Sequence, residues 1–195
     1  MRRLSSQVLS RILVVLSIAM VSTLDARIGE TSIQFVDRYG APKDTTSSKI
    51  LDKSLPLLEG AVHHTYLYQG WKIRAAFPKL DGPAVRMDYQ KLPTAGVSQT
   101  IQDYELNAIM AANTPAGATW APMIYDNPDS ANKGFAKAME SFVAVGQKMW
   151  RRSDGAILWL RSNLIVRLEL PAARHYEAQL KAEKDLKARS SVPKF

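Results

Sequence analysis

Cysteine is absent from all 195 residues. That excludes disulfides, thiol nucleophiles, cysteine-ligated zinc or iron–sulfur sites and a lipid-bearing cysteine. Histidine is scarce, with three in all. His63 and His64 are neighbours in a stretch that reads as strand, so they point to opposite faces and are poorly placed to chelate one ion. No metal or other cofactor is expected. Glycine-rich phosphate loops are missing too, since Gly29, Gly40 and Gly60 stand alone. Ser130-Ala131-Asn132-Lys133 fits the S-x-x-K pattern of serine acyl-enzymes, but no Lys-Thr-Gly strand follows and Ser130 suits a helix cap. Asp126, Asp129 and Glu140 are candidate paired carboxylates, yet nothing fixes their separation and acids there suit a helix start. The chain is therefore expected to be non-catalytic, with a small hydrolase as the alternative. Long apolar runs are lacking as well. Ile12 to Val21, broken only by Ser17, rises about 15 Å as a helix, roughly half a bilayer's hydrocarbon core.

What is present begins with that run. Arg2, Arg3 and Arg11 precede it, and the short polar stretch Ser22 to Ala26 follows it. Basic, apolar and cleavage regions in this order predict a secretory signal peptide over 1–26, cut after Ala26. The protein is accordingly expected to be a periplasmic or secreted bacterial one with no stable transmembrane span. Apolar residues make up 46% of the chain and charged ones 23%, an ordinary globular balance. The formal charge is +8, from 26 basic and 18 acidic residues. Removing three Arg and Asp25 with residues 1–26 leaves 23 basic and 17 acidic residues, net +6.

The patterning predicts an α+β fold of two units, each a helix followed by an antiparallel meander, with helices on one face of the sheet and a charged C-terminal helix. Unit boundaries fall at 27–112 and 131–195, joined by a loop over 113–130. Thr31 is set to cap a helix over 32–39 that turns Ile33, Val36 and Phe35 inward; Gly40 ends it and Pro42 bars continuation. Residues 43–54 are polar and read as loop. From 61 to 92 the period changes to two: Val62, His64, Tyr66 and Tyr68; then Trp71, Ile73, Ala75 and Phe77; then Val85, Met87 and Tyr89. Gln69-Gly70 and Asp81-Gly82 punctuate these three strands. Ser98 to Ala112 returns to helical spacing through Ile101, Tyr104, Leu106, Ala108 and Ile109. Another helix is predicted from about Ser130 to Val143. A second meander follows, with strands over 147–152, 156–161 and 164–170 joined at Asp154-Gly155 and Ser162-Asn163. Pro171 opens a last helix over 172–189, anchored by Tyr176 and Leu180.

The two meanders end alike. AVRMDY at 84–89 and IVRLEL at 165–170 share one pattern at an offset of 81, the mark either of a tandem duplication or of the likeness that amphipathic strands have by default. Arg27-Ile28-Gly29-Glu30-Thr31, Val36, Arg38-Tyr39-Gly40-Ala41-Pro42 and a last strand entered at Gly82-Pro83-Ala84-Val85 resemble the opening of BamE/SmpA-like modules over about residues 27–92. The paired halves also resemble the tandem arrangement of β-lactamase-inhibitory proteins. The chain departs from the BamE lipoprotein pattern in lacking the acylated cysteine and in the long stretch 43–60. The resemblance implies helices packed on an antiparallel sheet in an exported, non-catalytic protein that binds other proteins.

Two regions stand out as candidate contact sites. The connection 113–130 is long and carries Trp120, Met123 and Tyr125, which suit a groove or contact anchors, or equally a cap on the sheet edge. On the meanders, Lys72, Arg74 and Arg86 should share a solvated face, joined by Arg151, Arg152, Arg161 and Arg167. Such a face suits anionic lipid or polysaccharide, or simply pairs with Asp88 and Glu169. Nucleic acid is not expected, since the chain is exported and carries no nucleic-acid-binding motif. The expected partner is another envelope or secreted protein, with anionic lipid or polysaccharide as the alternative.

Overall fold

A computed structural model describes residues 27–47, 57–123 and 148–190. The expected signal peptide, most of the expected loop 43–54, Tyr125, the helix expected near 130–143 and the Ser130, Asp126, Asp129 and Glu140 candidates lie outside these residues. The fold is α+β. Its elements are α1 (Ser32–Tyr39), β1 (Asp44–Ser47), β2 (Val62–Tyr68), β3 (Trp71–Phe77), β4 (Arg86–Lys91), α2 (Asp103–Ala112), β5 (Trp120–Pro122), β6 (Lys148–Arg152), β7 (Ile157–Arg161), β8 (Ile165–Glu169) and α3 (Pro171–Ser190). The strands form one antiparallel sheet in the order β1-β2-β3-β4-β8-β7-β6-β5.

Both meanders appear where alternation placed them. Gln69 and Gly70 of the two-residue β2–β3 hairpin, and Ser162 and Asn163 of the three-residue β7–β8 connection, all take positive φ, the twist that lets a tight hairpin follow the strands. Each meander gains an outer strand that the sequence did not announce. Asp44–Ser47 lies in the stretch expected to be loop, yet pairs with Val62–Thr65 of β2. Its Thr-rich, polar sequence suits a short edge strand, which needs no buried side chains. Trp120–Pro122, within the connection 113–130, pairs with Trp150–Arg152 of β6, and Pro122 is tolerated because the strand is an edge.

The halves meet at β4 and β8, where the repeated sequence lies. Met87 pairs with Leu168, its equivalent at the 81-residue offset, so on either side Arg86 faces Glu169 and Asp88 faces Arg167. Residues related by the 81-residue offset therefore make the same cross-strand pair twice, as a local two-fold axis between the strands requires.

The core lies between the sheet and helices α1 and α2. Phe35 of α1, Leu106 and Ile109 of α2, and Tyr66, Ile73, Phe77, Met87, Leu158 and Leu168 of the strands form one buried cluster. In α1 the Thr31–Gln34 capping box forms and Gly40 ends the helix at φ +78°. The inward face follows expectation at Phe35, which is fully buried, and departs from it at Ile33 and Val36, which are 71% and 39% exposed. The reason is aromatic packing. Phe35 meets Phe77 edge to face at 5.6 Å and Tyr66 at a tilt at 5.6 Å, and Tyr39, one turn on, meets Tyr66 and Tyr68. These rings bury more area than Ile33 and Val36 would, and they set the helix rotation. In α2, Ile101 is buried just ahead of the first turn, and Tyr104 points to solvent. Asn113 at the end of α2 is an internal junction. Its Oδ1 accepts the Ile28 N–H at 2.9 Å, and its Nδ2 donates to the Tyr89 hydroxyl at 3.0 Å and the Ile109 carbonyl at 2.8 Å.

Helix α3 covers part of the opposite sheet face. Ala173 and Tyr176 pack with Leu58, Ala61, Ala76 and Val85. The turn before β2 comes so close that a Cβ on Gly60 would lie 2.5 Å from the Tyr176 hydroxyl. Beyond Leu180 the helix is exposed throughout. Among the described residues no helix is long and apolar enough to cross a membrane.

Candidate functional site

The strand cations are built into the sheet face beneath α3. In register across it run Thr65, Arg74, Asp88, Arg167 and Trp159, and beside them His63, Ala76, Arg86, Glu169 and Ile157. Arg167 grips Asp88 with two hydrogen bonds, Nε to Oδ1 at 2.7 Å and Nη2 to Oδ2 at 3.1 Å. Arg74 donates to the same carboxylate at 3.1 Å. Arg86 bridges Glu169 of β8 at 2.8 Å and Glu177 of α3 at 2.7 Å. Burial alone would lower the Arg86 pKa, but Glu169 and then Glu177 outweigh it and hold the guanidinium above its ordinary value.

The face expected to be solvated is thus largely closed: Arg86 and Arg167 are 6% and 7% exposed. The physical reason is that each arginine has a cross-strand carboxylate, which permits burial. Only Lys72 of the three first-meander cations is exposed. In the second meander Arg152 is buried as well, held by Asp154 at 2.7 Å and bonded to the Asn113 carbonyl.

His63 belongs to the same layer. Its Nε2 accepts the Leu58 N–H at 3.1 Å. Nδ1 has no hydrogen bond of normal length among the described residues, although the backbone of Thr46, its partner across the ladder, favours the protonated ring slightly. Burial first, and then Arg74, lower the His63 pKa to about 4, so the ring is neutral at physiological pH.

Trp120 is an internal brace. Its indole N–H donates to the Thr114 hydroxyl at 2.8 Å, and the Arg152 guanidinium sits 5.5 Å from its ring centroid. Met123, like Trp159, packs against the buried cluster of Met149 and Ile157. Trp120 lies at the far edge of the sheet from Lys72, so the structure does not bring the candidates together into one site.

It does assemble a cavity that the sequence did not single out. Tyr39 at the end of α1, Tyr68, Gln69 and Trp71 of the β2–β3 hairpin, Ile73 and Tyr89 of the sheet, and Tyr104, Glu105, Ala108, Ile109 and Ala112 of α2 line a groove of about 290 Å³. Five of these residues are aromatic, and Ala108 and Ala112 keep the helix side low. Its one acid, Glu105, is closed off: Oε1 meets Lys91 Nζ at 2.7 Å, and Oε2 accepts the Gln102 N–H at 2.8 Å. These bonds outweigh burial and hold the carboxyl below its ordinary range. Lys91 stands 5.9 Å from the Trp71 ring centroid. The sequence carried a partial signal, because Tyr68, Trp71 and Tyr89 alternate onto one face; the role of Tyr39 and α2 depends on tertiary packing.

Among the described residues no three His, Asp or Glu gather to hold a metal ion. No protein-family model, curated protein or solved structure matches the chain.

Proposed function

We propose that this is an exported, non-catalytic binding protein of the bacterial envelope or secretome, and that the aromatic groove between α1, α2 and the β2–β3 hairpin is its contact site. The observation that carries this is the concentration of five aromatic rings in one open cavity. Aromatic anchors supply contact area at low entropic cost and dominate binding surfaces. The acid in the groove is ionised and tied to Lys91, a poor state for proton transfer, which favours binding over hydrolysis. Export rests on the basic, apolar and polar order of residues 1–26. The resemblance of residues 27–92 to BamE/SmpA-like modules agrees with a non-catalytic envelope role. The anionic-surface alternative loses support because Arg74, Arg86 and Arg167 already hold carboxylates.

Site-specific photo-crosslinking in the producing cell tests this. A benzoylphenylalanine at Tyr104 should give a discrete adduct, and one at Ile33, exposed on α1 outside the groove lining, should not. An adduct at Met123 with none at Tyr104 would move the site to the β5 edge.

A further inference from the structure

The polar groups of the groove specify what fits it, granted that the groove is the contact site. We infer that it takes an uncharged, proline-rich extended segment of a partner polypeptide. Charge complementarity points to a neutral ligand. Glu105 has both oxygens occupied, and Lys91 spends its donors on Glu105 and on the carbonyls of Thr100 at 3.1 Å and Ser98 at 3.4 Å. A cationic ligand would also meet the Lys91 ammonium already placed at Trp71.

The remaining groups offer flat rings and donors. The Trp71 indole N–H and the Tyr104 hydroxyl have no hydrogen-bond partner among the described residues, and Tyr104 is 72% exposed. The complementary ligand has rigid apolar rings, carbonyl acceptors and few donors, since Gln69 Oε1 and the tyrosine hydroxyls are what the lining offers to accept them. Proline has this chemistry: it lacks the backbone N–H, its ring lies flat on an aromatic face, and its carbonyl accepts from tryptophan or tyrosine. A run of prolines is also pre-ordered as an extended helix, so docking costs little conformational entropy. A polyol would bring many donors, with only Gln69 Oε1 and the tyrosine hydroxyls to accept them, and a hydrocarbon chain would leave the Trp71 and Tyr104 donors unused. The cavity volume of about 290 Å³ suits a short stretch of chain.

The test is an NMR titration of the processed protein, reading its tryptophan indole N–H resonances. Loss of one peak in Trp71→Phe assigns Trp71. The probes are blocked hexaproline, a blocked Gly-Ser hexapeptide, maltotriose, choline and dodecyl maltoside below micelle formation. Hexaproline should shift the Trp71 indole saturably, and Tyr104→Ala should weaken that binding about tenfold. Lys72→Ala should leave it unchanged. If maltotriose, choline or the dodecyl chain shifts Trp71 as strongly as hexaproline, or hexaproline does not shift it, the ligand class is wrong while the groove stands. If no probe moves Trp71 and the crosslink at Tyr104 is also absent, the groove itself fails as the site.

Discussion

Asp88 shows how one residue holds several strands. Its carboxylate takes Arg167 from β8 and Arg74 from β3, and all three side chains are mostly buried. Asp88→Ala leaves two guanidinium groups without their partner and should cost about 3–5 kcal/mol in urea denaturation. Glu177→Gln removes a partner that is 45% exposed, and Arg86 keeps Glu169, so its cost should stay at or below about 1 kcal/mol. His63 makes a second prediction. Its folded pKa of about 4 lies below the ordinary 6.5, so between these values the unfolded chain binds the proton that the folded one refuses. Stability from this group is complete above pH 6.5 and falls as pH drops towards 4, by about 3 kcal/mol, then levels off. Arg74 and Arg86 oppose protonation and Asp88 favours it. In paired denaturation curves at pH 7 and 4.5, His63→Gln should lose this part of the acid sensitivity; an unchanged difference would contradict the assignment.

At the scale of elements, α1 and β5 show local pattern yielding to packing. The limits of α1 follow from its cap and Gly40, but its rotation is set by Phe35 and Tyr39 against the sheet. Strand β5 is three residues long, and Trp120 fixes it to α2 through the Met110 carbonyl, to the turn after α2 through the Thr114 hydroxyl and to β6 through Arg152. Trp120→Ala should therefore lower stability by about 2–3 kcal/mol, read from the denaturation midpoint, because it opens a half-buried site. Hairpins were the most legible elements, since Gln69-Gly70 and Ser162-Asn163 carry their turn chemistry within two residues. Edge strands β1 and β5 were not, because β1 is polar throughout and β5 is only three residues long, so neither leaves a period in the sequence.

At the scale of the whole molecule, the two sequence units share one sheet. β4 and β8 pair over five residues, and one buried cluster draws on α1, α2 and both meanders. Unfolding should therefore be a single cooperative transition, with tryptophan fluorescence and far-ultraviolet circular dichroism giving the same midpoint. Two separated midpoints would show that residues 27–112 and the remainder fold as independent units.

The sequence by itself determined the α+β class, the two meanders, the capped first helix and the repeat at 84–89 and 165–170, because period, turn residues and caps act over a few neighbours. Only the tertiary structure decided that the repeats pair with each other, that Arg86 and Arg167 are buried with carboxylates, and that Tyr39, Trp71 and Tyr104 line one groove. Those facts depend on which faces meet across long chain separations, and a local pattern carries no information about that.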